Sequence, residues 1–250
     1  MSVTRNNLIF ILVLFCLYSR SQVINIESKR FLNDTDGWVG SINGNFSAVQ
    51  NIQRVITFGA NVHVQYQKGK SRFLMISDIA FISAANTDFV NSGYQHFRYN
   101  YKVANRLTLE AFVQAQYNRV LLLDERYLTG FGPRFKLIKK EHIRAYFACL
   151  YMLEHQAQDY YRIIKNDNRM SSYLTFNIPF PKFDFTSTTF YQPNLADFND
   201  YRIANNSAVE IFITAKLNLR MELILLYDTR QPPKVPDLTY ITRSGISFKF

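Results

Sequence analysis

The stretch Tyr240-Ile-Thr-Arg-Ser-Gly-Ile-Ser-Phe-Lys-Phe250 alternates between two classes of side chain. One parity carries most of the large apolar groups, and the other carries Arg243, Gly245, Ser247 and Lys249. Successive side chains of a β-strand point to opposite faces, so this pattern predicts a strand with one apolar and one polar face. The residues of the first parity are Tyr240, Thr242, Ser244, Ile246, Phe248 and Phe250.

The same alternation recurs along most of the chain. Residues 56–66 place Ile, Phe, Ala, Val, Val and Tyr on one face and Thr, Gly, Asn, His and Gln on the other. Residues 107–117 alternate in the same way, with Glu110 and Gln114 on the polar face. Segments of about ten residues with this alternation are the signature of a transmembrane β-barrel. Such polar faces could not form the dry core between two packed sheets, because unpaired polar groups are costly away from water.

The chain is therefore predicted to be all-β, an antiparallel up-and-down transmembrane β-barrel of about twelve strands. An even number of strands places both termini on one side, here predicted to be the periplasm. The last strand ends on an aromatic residue, which predicts that Tyr240, Ile246, Phe248 and Phe250 form the signal read by the barrel-assembly machinery of Gram-negative bacteria. The predicted strands lie near residues 37–49, 54–66, 71–83, 95–102, 107–118, 127–138, 143–154, 170–178, 183–191, 201–215, 218–228 and 238–250.

The N-terminal segment has the features of a secretory signal peptide. Arg5 precedes an apolar run from Leu8 to Tyr18 that is too short to cross a membrane as a helix, and Ser21 offers a small residue at the cleavage point. After cleavage only Cys149 remains, so no intrachain disulfide is expected. The predicted division is a signal peptide at 1–21, a periplasmic lead-in at 22–36 and an outer-membrane barrel at 37–250.

The predicted connections differ in length between the two sides. Those assigned to the periplasm are short: 67–70, 103–106, 139–142, 179–182 and 216–217. Four on the outer side are longer: 84–94, 155–169, 192–200 and 229–237. Short periplasmic turns and long outer loops are typical of bacterial barrels, which supports the predicted sidedness.

The polar faces would line the lumen with charges of both signs and an excess of bases. The full chain has a formal net charge of +10, which suits either anionic lipid headgroups at the rim or a lumen that favours anions. Two interpretations stay open: an ion-pair lattice that fills the barrel, and a narrow pore. The residues assigned to the lumen lining are His96, Arg98, Asn100, Lys102, Glu110, Gln114, Arg134, Lys136, Arg220, Glu222 and Arg243. The same parity adds Arg72, Asp78, Arg144, Glu154, Glu210, Lys216 and Lys249.

Several short motifs resemble a known family. They are Asp36-Gly-Trp-Val-Gly40, Phe73-Leu74 with Asp78, His96-Phe-Arg-Tyr-Asn-Tyr101, Glu110-Ala-Phe-Val-Gln-Ala-Gln-Tyr117, Leu128-Thr-Gly-Phe-Gly-Pro-Arg134, Tyr191-Gln-Pro193 followed by Asp200-Tyr-Arg202, and Pro232-Pro233. Together they resemble the salt-induced outer-membrane protein family of Gram-negative bacteria. The resemblance implies a small outer-membrane barrel without an established activity, and it implies no catalytic residues.

No motif for catalysis or metal binding stands out. An outer-membrane phospholipase would need a serine two residues from a histidine on one strand. No histidine here has a serine two residues after it. No His or Cys pair has metal-ligand spacing. Acids such as Asp197 and Asp200 are interpreted as solvated loop residues. The chain is expected to be no enzyme and to hold no cofactor. The residues two positions after the four histidines are Gln65, Arg98, Arg144 and Ala157.

The sequence favours a porin-like narrow channel or a structural barrel with a basic, ion-pair-lined lumen, in the cell outer membrane. The alternative is a non-conducting accessory subunit of a larger outer-membrane complex, and a hydrolase is less favoured. The expected partners are outer-membrane lipids, lipopolysaccharide and the assembly machinery, with other outer-membrane proteins as an open alternative. Nucleic acid is not expected in this compartment.

Two local predictions follow from the strand parity. Arg98 and Glu110 should form an ion pair, directly opposite each other across a turn at residues 103–105. Cys149 should face lipid together with Phe147 and Tyr151. The strand ends also supply candidates for the aromatic girdles found at membrane interfaces. These candidates are Trp38, Tyr66, Phe73, Phe97 and Tyr117.

Overall fold

The computed structural model describes residues 36–50, 54–85, 87–158, 163–214, 217–231 and 236–248. Within these residues, twelve strands form one antiparallel sheet in which each strand pairs with its neighbours in the chain, so the predicted all-β, up-and-down class is confirmed. The strands are β1 (Gly37–Gln50), β2 (Arg54–Lys68), β3 (Ser71–Ala84), β4 (Thr87–Lys102), β5 (Leu107–Asn118), β6 (Leu123–Lys140), β7 (Ile143–Gln158), β8 (Ile163–Pro179), β9 (Phe183–Pro193), β10 (Tyr201–Phe212), β11 (Leu217–Asp228) and β12 (Leu238–Phe248).

The described residues contain one helical element, a 3₁₀ turn at Arg119–Leu121. No helix in this part of the chain is long and apolar enough to cross a membrane. Among the described strands, no pairing joins β1 to β12, so the ring is not closed there. The predicted signal peptide, nearly all of the lead-in and Phe250 lie outside the described residues. The periplasmic placement of the termini stays a prediction.

Three strands begin earlier than the sequence predicted, β6 at Leu123 rather than near residue 127 and two others by a larger margin. β4 begins at Thr87 rather than near residue 95, and β8 begins at Ile163 rather than near residue 170. The predicted long connections at 84–94 and 155–169 are therefore wrong, whereas residues 194–200 and 229–237 do connect β9 to β10 and β11 to β12. These segments carry polar residues on both faces, which hides the alternation. They nevertheless form the first parts of β4 and β8, because they pair with β3 and β7.

Burial follows the predicted parity. Along β4 and β5 the buried residues alternate with exposed ones, and Cys149 of β7 lies on the outward face between exposed Phe147 and Tyr151. The inward faces of distant strands also meet, because Tyr173 of β8 donates to Glu110 of β5 across two intervening strands. The sheet therefore curls around an interior, as a barrel wall does.

Aromatic side chains form an outward row at the end of the sheet where β1 begins and β12 ends, here called the terminal end. Trp38 packs on Tyr66 at 4.6 Å between ring centroids, Tyr66 on Phe73 at 6.5 Å, and Phe73 on Tyr99 at 4.8 Å. Three of the girdle candidates thus lie in one row. Among the other two, Phe97 lies further along the outward face of β4, and Tyr117 lies towards the opposite end, here called the distal end.

A second aromatic row follows the distal end. Tyr201 lies between Tyr191 and Tyr227, with centroid distances of 5.9 and 6.0 Å. Tyr127 and His155 stack nearby on β6 and β7 at 6.2 Å. Aromatic rows at both ends of an apolar outer face are the arrangement of transmembrane barrels, in which they mark the two membrane interfaces.

Candidate functional site

The interior has three successive layers between the distal and terminal ends. An ionic layer lies towards the distal end, an apolar layer lies in the middle, and a basic vestibule opens at the terminal end. A small polar cluster around Glu110 separates the apolar layer from the vestibule. All four are built by inward-facing residues of the strands, mainly β4 to β11.

The ionic layer is centred on Glu154 of β7. Its carboxylate lies 2.5 Å from Arg126 Nε, 2.6 Å from Arg169 Nε and 2.7 Å from Arg202 Nη1. These four side chains are almost completely buried. The three arginines come from β6, β8 and β10, so one carboxylate joins alternate strands of the curled sheet. A buried charge of this kind is stable only when it is paired and hydrogen-bonded.

Further acids complete the charge balance of the layer. Arg202 Nε donates to Asp228 at 2.6 Å, and Arg169 Nη2 donates to Asp167 at 3.1 Å and to both carboxylate oxygens of Asp200 at 2.9 and 3.0 Å. Three arginines thus contact four carboxylates. These ion pairs link β6, β7, β8, β10 and β11 near their distal ends.

The apolar layer lies next to the ionic layer, on its terminal side. Its residues come from β5 to β11 and pack into one cluster although their strands are far apart in the sheet. Leu150 and Met152 are 1 % exposed and Tyr173 and Leu226 are 2 % exposed, so water has almost no access to them. The cluster consists of Phe112, Leu128, Ala148, Leu150, Met152, Tyr173, Phe190, Ala204 and Leu226.

The polar cluster around Glu110 contains the predicted ion pair. Arg98 Nη1 donates to Glu110 Oε2 at 3.0 Å, and Tyr173 Oη donates to the same oxygen at 2.8 Å. The predicted register was wrong, because Glu110 lies opposite Asn100 and Arg98 lies opposite Phe112. The turn contains Val103–Arg106, and the ladder resumes with Thr108 opposite Lys102. This shift by two residues keeps every side chain on its predicted face, so the pair forms diagonally.

The basic vestibule is a cavity of about 390 Å³ at the terminal end. Asp36 is the one carboxylate among the residues that line it. Its wall is formed by residues near the terminal ends of β2 to β7 and by the turns at 69–70 and 103–106. Its basic lining residues are Lys70, Arg72, Lys102, Arg106, Arg134, Lys136, Lys139 and Arg144.

The residues assigned to the lumen lining fall into different parts of this interior. His96, Arg98, Glu110 and Gln114 belong to the buried polar cluster, in which His96 Nδ1 lies 2.9 Å from Gln114 Oε1. Asn100, Lys102, Arg134 and Lys136 line the vestibule. Arg220 and Glu222 of β11 form an ion pair at 3.5 Å outside these layers. Arg243 lies opposite Glu222 in the β11–β12 ladder, and its side chain is not among those described.

The additional residues predicted to share the lumen-facing parity also lie in different parts of the sheet. Arg72 donates to Gln67, and Asn61 donates to Asp78 at 2.9 Å. Glu210 accepts from Asn218 at 2.9 Å. Lys216 and Lys249 lie outside the described residues. The proposed assembly-signal residues Ile246 and Phe248 lie in β12, where their side chains are not described, and Tyr240 is 44 % exposed on the outer face.

Sequence reasoning identified Glu154 but missed its partners. Arg169 and Asp200 were assigned to outer loops, and Arg126 lay just before the predicted sixth strand. Asp200 is in fact buried against Arg169, so the interpretation of it as a solvated acid was wrong. Extending the alternation of the sixth strand by one residue would have identified Arg126, which precedes exposed Tyr127 and shares its face with buried Leu128.

The distal connections also contact each other. Asp197, between β9 and β10, accepts from the backbone N–H of Asn199 at 3.0 Å and from Arg230 at 3.2 Å. These hydrogen bonds, with the backbone donor contributing most, lower the pKa of Asp197. The Asp197–Arg230 pair is exposed, so it contributes little to stability.

A known family model matches most of the chain. The model of the family described as "Protein of unknown function, DUF481" matches residues 53–248. The chain belongs to this family. The match agrees with the expected resemblance to a family without an established activity, whereas no comparison supports its narrower "salt-induced" description.

Two solved structures are distantly similar to the chain. The NanC porin, solved in a rhombohedral crystal form, shares 14% identity at a TM-score of 0.48, covering 84% of this chain and 98% of that one. The KdgM porin shares 10% identity at a TM-score of 0.43, covering 79% and 96%. No curated protein matches the chain. The fold assignment rests on the strand pairing of the chain itself.

Proposed function

We propose that this chain is an outer-membrane β-barrel whose interior is closed by its own side chains. Its place in a membrane is supported by the outward faces of the strands, which expose large apolar residues such as Ile42, Phe46, Phe131 and Leu153. Strands of 11 to 18 residues are long enough to cross a bilayer, which needs about 9–11 tilted residues. An apolar surface of this extent belongs against lipid.

One observation carries the proposal that side chains fill the interior of the barrel. Tyr173 and Leu226 belong to the same cluster, and each is only 2 % exposed, although β8 and β11 are separated by two strands in the sheet. In an open pore these inward side chains would border water. The ionic layer around Glu154 closes the interior a second time. A barrel filled in this way suits a structural or accessory role in the outer membrane better than the passage of solutes.

Planar-bilayer conductance tests this proposal. The wild-type barrel should show no stable conductance steps. The double variant Tyr173→Gly with Leu226→Gly removes two large side chains from the apolar layer and should allow ions to pass. Leu223→Gly, on the outward face of β11, is the matched control and should conduct no more than wild type. Steady conductance by the wild-type protein would overturn the proposal.

A second candidate function is a narrow anion-selective channel, and the basic vestibule favours it. A cluster of cationic side chains at a pore mouth raises the local concentration of anions. In that case the wild-type protein would conduct with anion preference, and Lys102→Glu would weaken that preference. The same bilayer measurement therefore separates the two candidates.

A further inference from the structure

The basic vestibule has a strong excess of positive charge around one open cavity. Eight lysine and arginine side chains line about 390 Å³, against the single carboxylate of Asp36. That carboxylate is already engaged by the backbone N–H of Gly69 at 2.9 Å. In the described part of the chain, no acid pairs with Lys102, Arg106 or Arg144. So many like charges around one cavity repel each other, and an anion in the cavity would relieve the repulsion.

A second and independent feature points to a ligand. Asn100 lines the vestibule and is only 4 % exposed, yet neither Nδ2 nor Oδ1 has a hydrogen-bond partner among the described residues. Buried amides are almost always satisfied by the protein, by water or by a ligand. This amide is therefore a donor and acceptor without a partner among the described residues, in the cavity wall beside the charge of Lys102.

The wall of the vestibule is also held in place. The guanidinium of Arg134 stacks 4.0 Å from the ring centroid of Tyr146, and its Nε lies 3.8 Å from Glu110. Arg72 donates to Gln67 through Nε at 2.9 Å. Side chains that are fixed before binding lose little entropy when a ligand arrives, which favours affinity.

We propose that the vestibule is a binding site for a soluble ligand that carries several phosphate groups. Phosphate suits the site because each group carries up to about two negative charges on a small volume, and this charge density matches eight cations around one small cavity. Arginine and lysine are the usual side chains for phosphate recognition. The ligand is soluble because the cavity is on the inward face, whereas the aromatic row that marks the lipid surface is on the outward face. The proposal does not depend on whether the barrel conducts.

Calorimetric titration of the folded full chain in neutral detergent with tripolyphosphate tests the site. Binding should be saturable, should weaken steeply with added salt, and should exceed the binding of orthophosphate. The double variant Lys102→Gln with Arg144→Gln should lose about tenfold or more in affinity, because charge-assisted hydrogen bonds are lost. Asn100→Asp should weaken binding similarly by placing a negative charge in the cavity.

The matched control is Arg119→Gln, which removes an exposed charge at the distal end and should leave the affinity unchanged. Each variant is first checked for the heat-modifiable electrophoretic shift of a folded barrel. If a vestibule variant does not fold, the wild-type titration and its competition by phosphatidic acid in mixed micelles still decide. Absent or non-saturable tripolyphosphate binding, an equal loss with Arg119→Gln, or displacement by phosphatidic acid would overturn the proposal.

Discussion

Glu154 is the residue on which most of the buried charge depends. It contacts three arginines at 2.5 to 2.7 Å, and all three would repel each other without it. Nearby acids also pair with Arg169 and Arg202. Removing one partner of a buried ion pair is costly because it leaves an uncompensated charge in a poorly solvated site.

Glu154→Gln should therefore lower the free energy of unfolding by about 3–5 kcal/mol. Urea unfolding in detergent, followed by loss of the folded electrophoretic form, measures this change. Glu125→Gln is the matched control, because the Glu125 side chain is exposed near the start of β6 and accepts a hydrogen bond from the exposed Tyr127 hydroxyl. Equal stability of the Glu154 variant and wild type would show that the ionic layer is not a structural brace.

Gly130 of β6 is a second residue on which the packing depends, because the Phe112 ring of β5 and the backbone of Tyr151 of β7 lie close to it. A Cβ at this position would lie 2.6 Å from Phe112 Cε1 and 2.9 Å from the backbone oxygen of Tyr151. The chain around Gly130 must shift to relieve such contacts.

Gly130→Ala should thus destabilise the barrel by about 1–3 kcal/mol, the usual cost of overpacking. Gly44→Ala provides the comparison, since its Cβ would have only the oxygen of Gly59 nearby, at 3.8 Å. Both substitutions change the unfolded chain in the same way, so the difference between their unfolding midpoints reports the crowding alone. Equal midpoints would contradict the packing of Phe112 against this glycine.

At the scale of the elements, period-two alternation predicted the order and facing of the twelve strands that the described residues form. It worked because one face of each strand meets lipid-like surroundings and the other meets the interior. It failed at the starts of β4 and β8, where polar residues occupy both faces and only pairing with neighbours defines the strand. Arg169 of the ionic layer was missed for this reason, because it lies in the first part of β8. Asp200 does lie in the connection before β10, and alternation cannot predict which loop acids are buried.

The facing of β7 gives a test of the wall as a whole. Cys149 lies on its outward face between Phe147 and Tyr151, so in a bilayer it should contact lipid. A charged maleimide should label it slowly in proteoliposomes, and an uncharged, lipid-soluble maleimide should label it faster. A cysteine introduced by Glu141→Cys, in the turn between β6 and β7, should react rapidly with both reagents when Cys149 is replaced by Ser. Rapid labelling of Cys149 by the charged reagent would contradict the lipid-facing wall.

At the scale of the whole molecule, the curl of the sheet brings distant strands into contact. Local pairing explains each hairpin, but it does not explain why β5 touches β8 or why β7 touches β10. Those contacts run through the interior, from Tyr173 to Glu110 and from Arg202 to Glu154. Sequence parity predicted which face these residues share. It could not predict which partners meet, because that depends on the curvature of the sheet and on the lengths of the side chains.

A double-mutant cycle between β5 and β8 tests whether the interior is filled in this way. Tyr173 Oη lies 2.8 Å from Glu110 Oε2, and both side chains are buried, so Tyr173→Phe and Glu110→Gln should be coupled by about 0.5–3 kcal/mol in the free energy of unfolding. Glu110→Gln alone should cost more than Tyr173→Phe alone, because it also leaves Arg98 without its carboxylate at 3.0 Å. Tyr240→Phe, on the outward face of β12, is the control and should add to Glu110→Gln within about 0.3–0.5 kcal/mol. Strict additivity of the Tyr173 and Glu110 substitutions would mean that water separates the two side chains, and hence that the interior is open at this level.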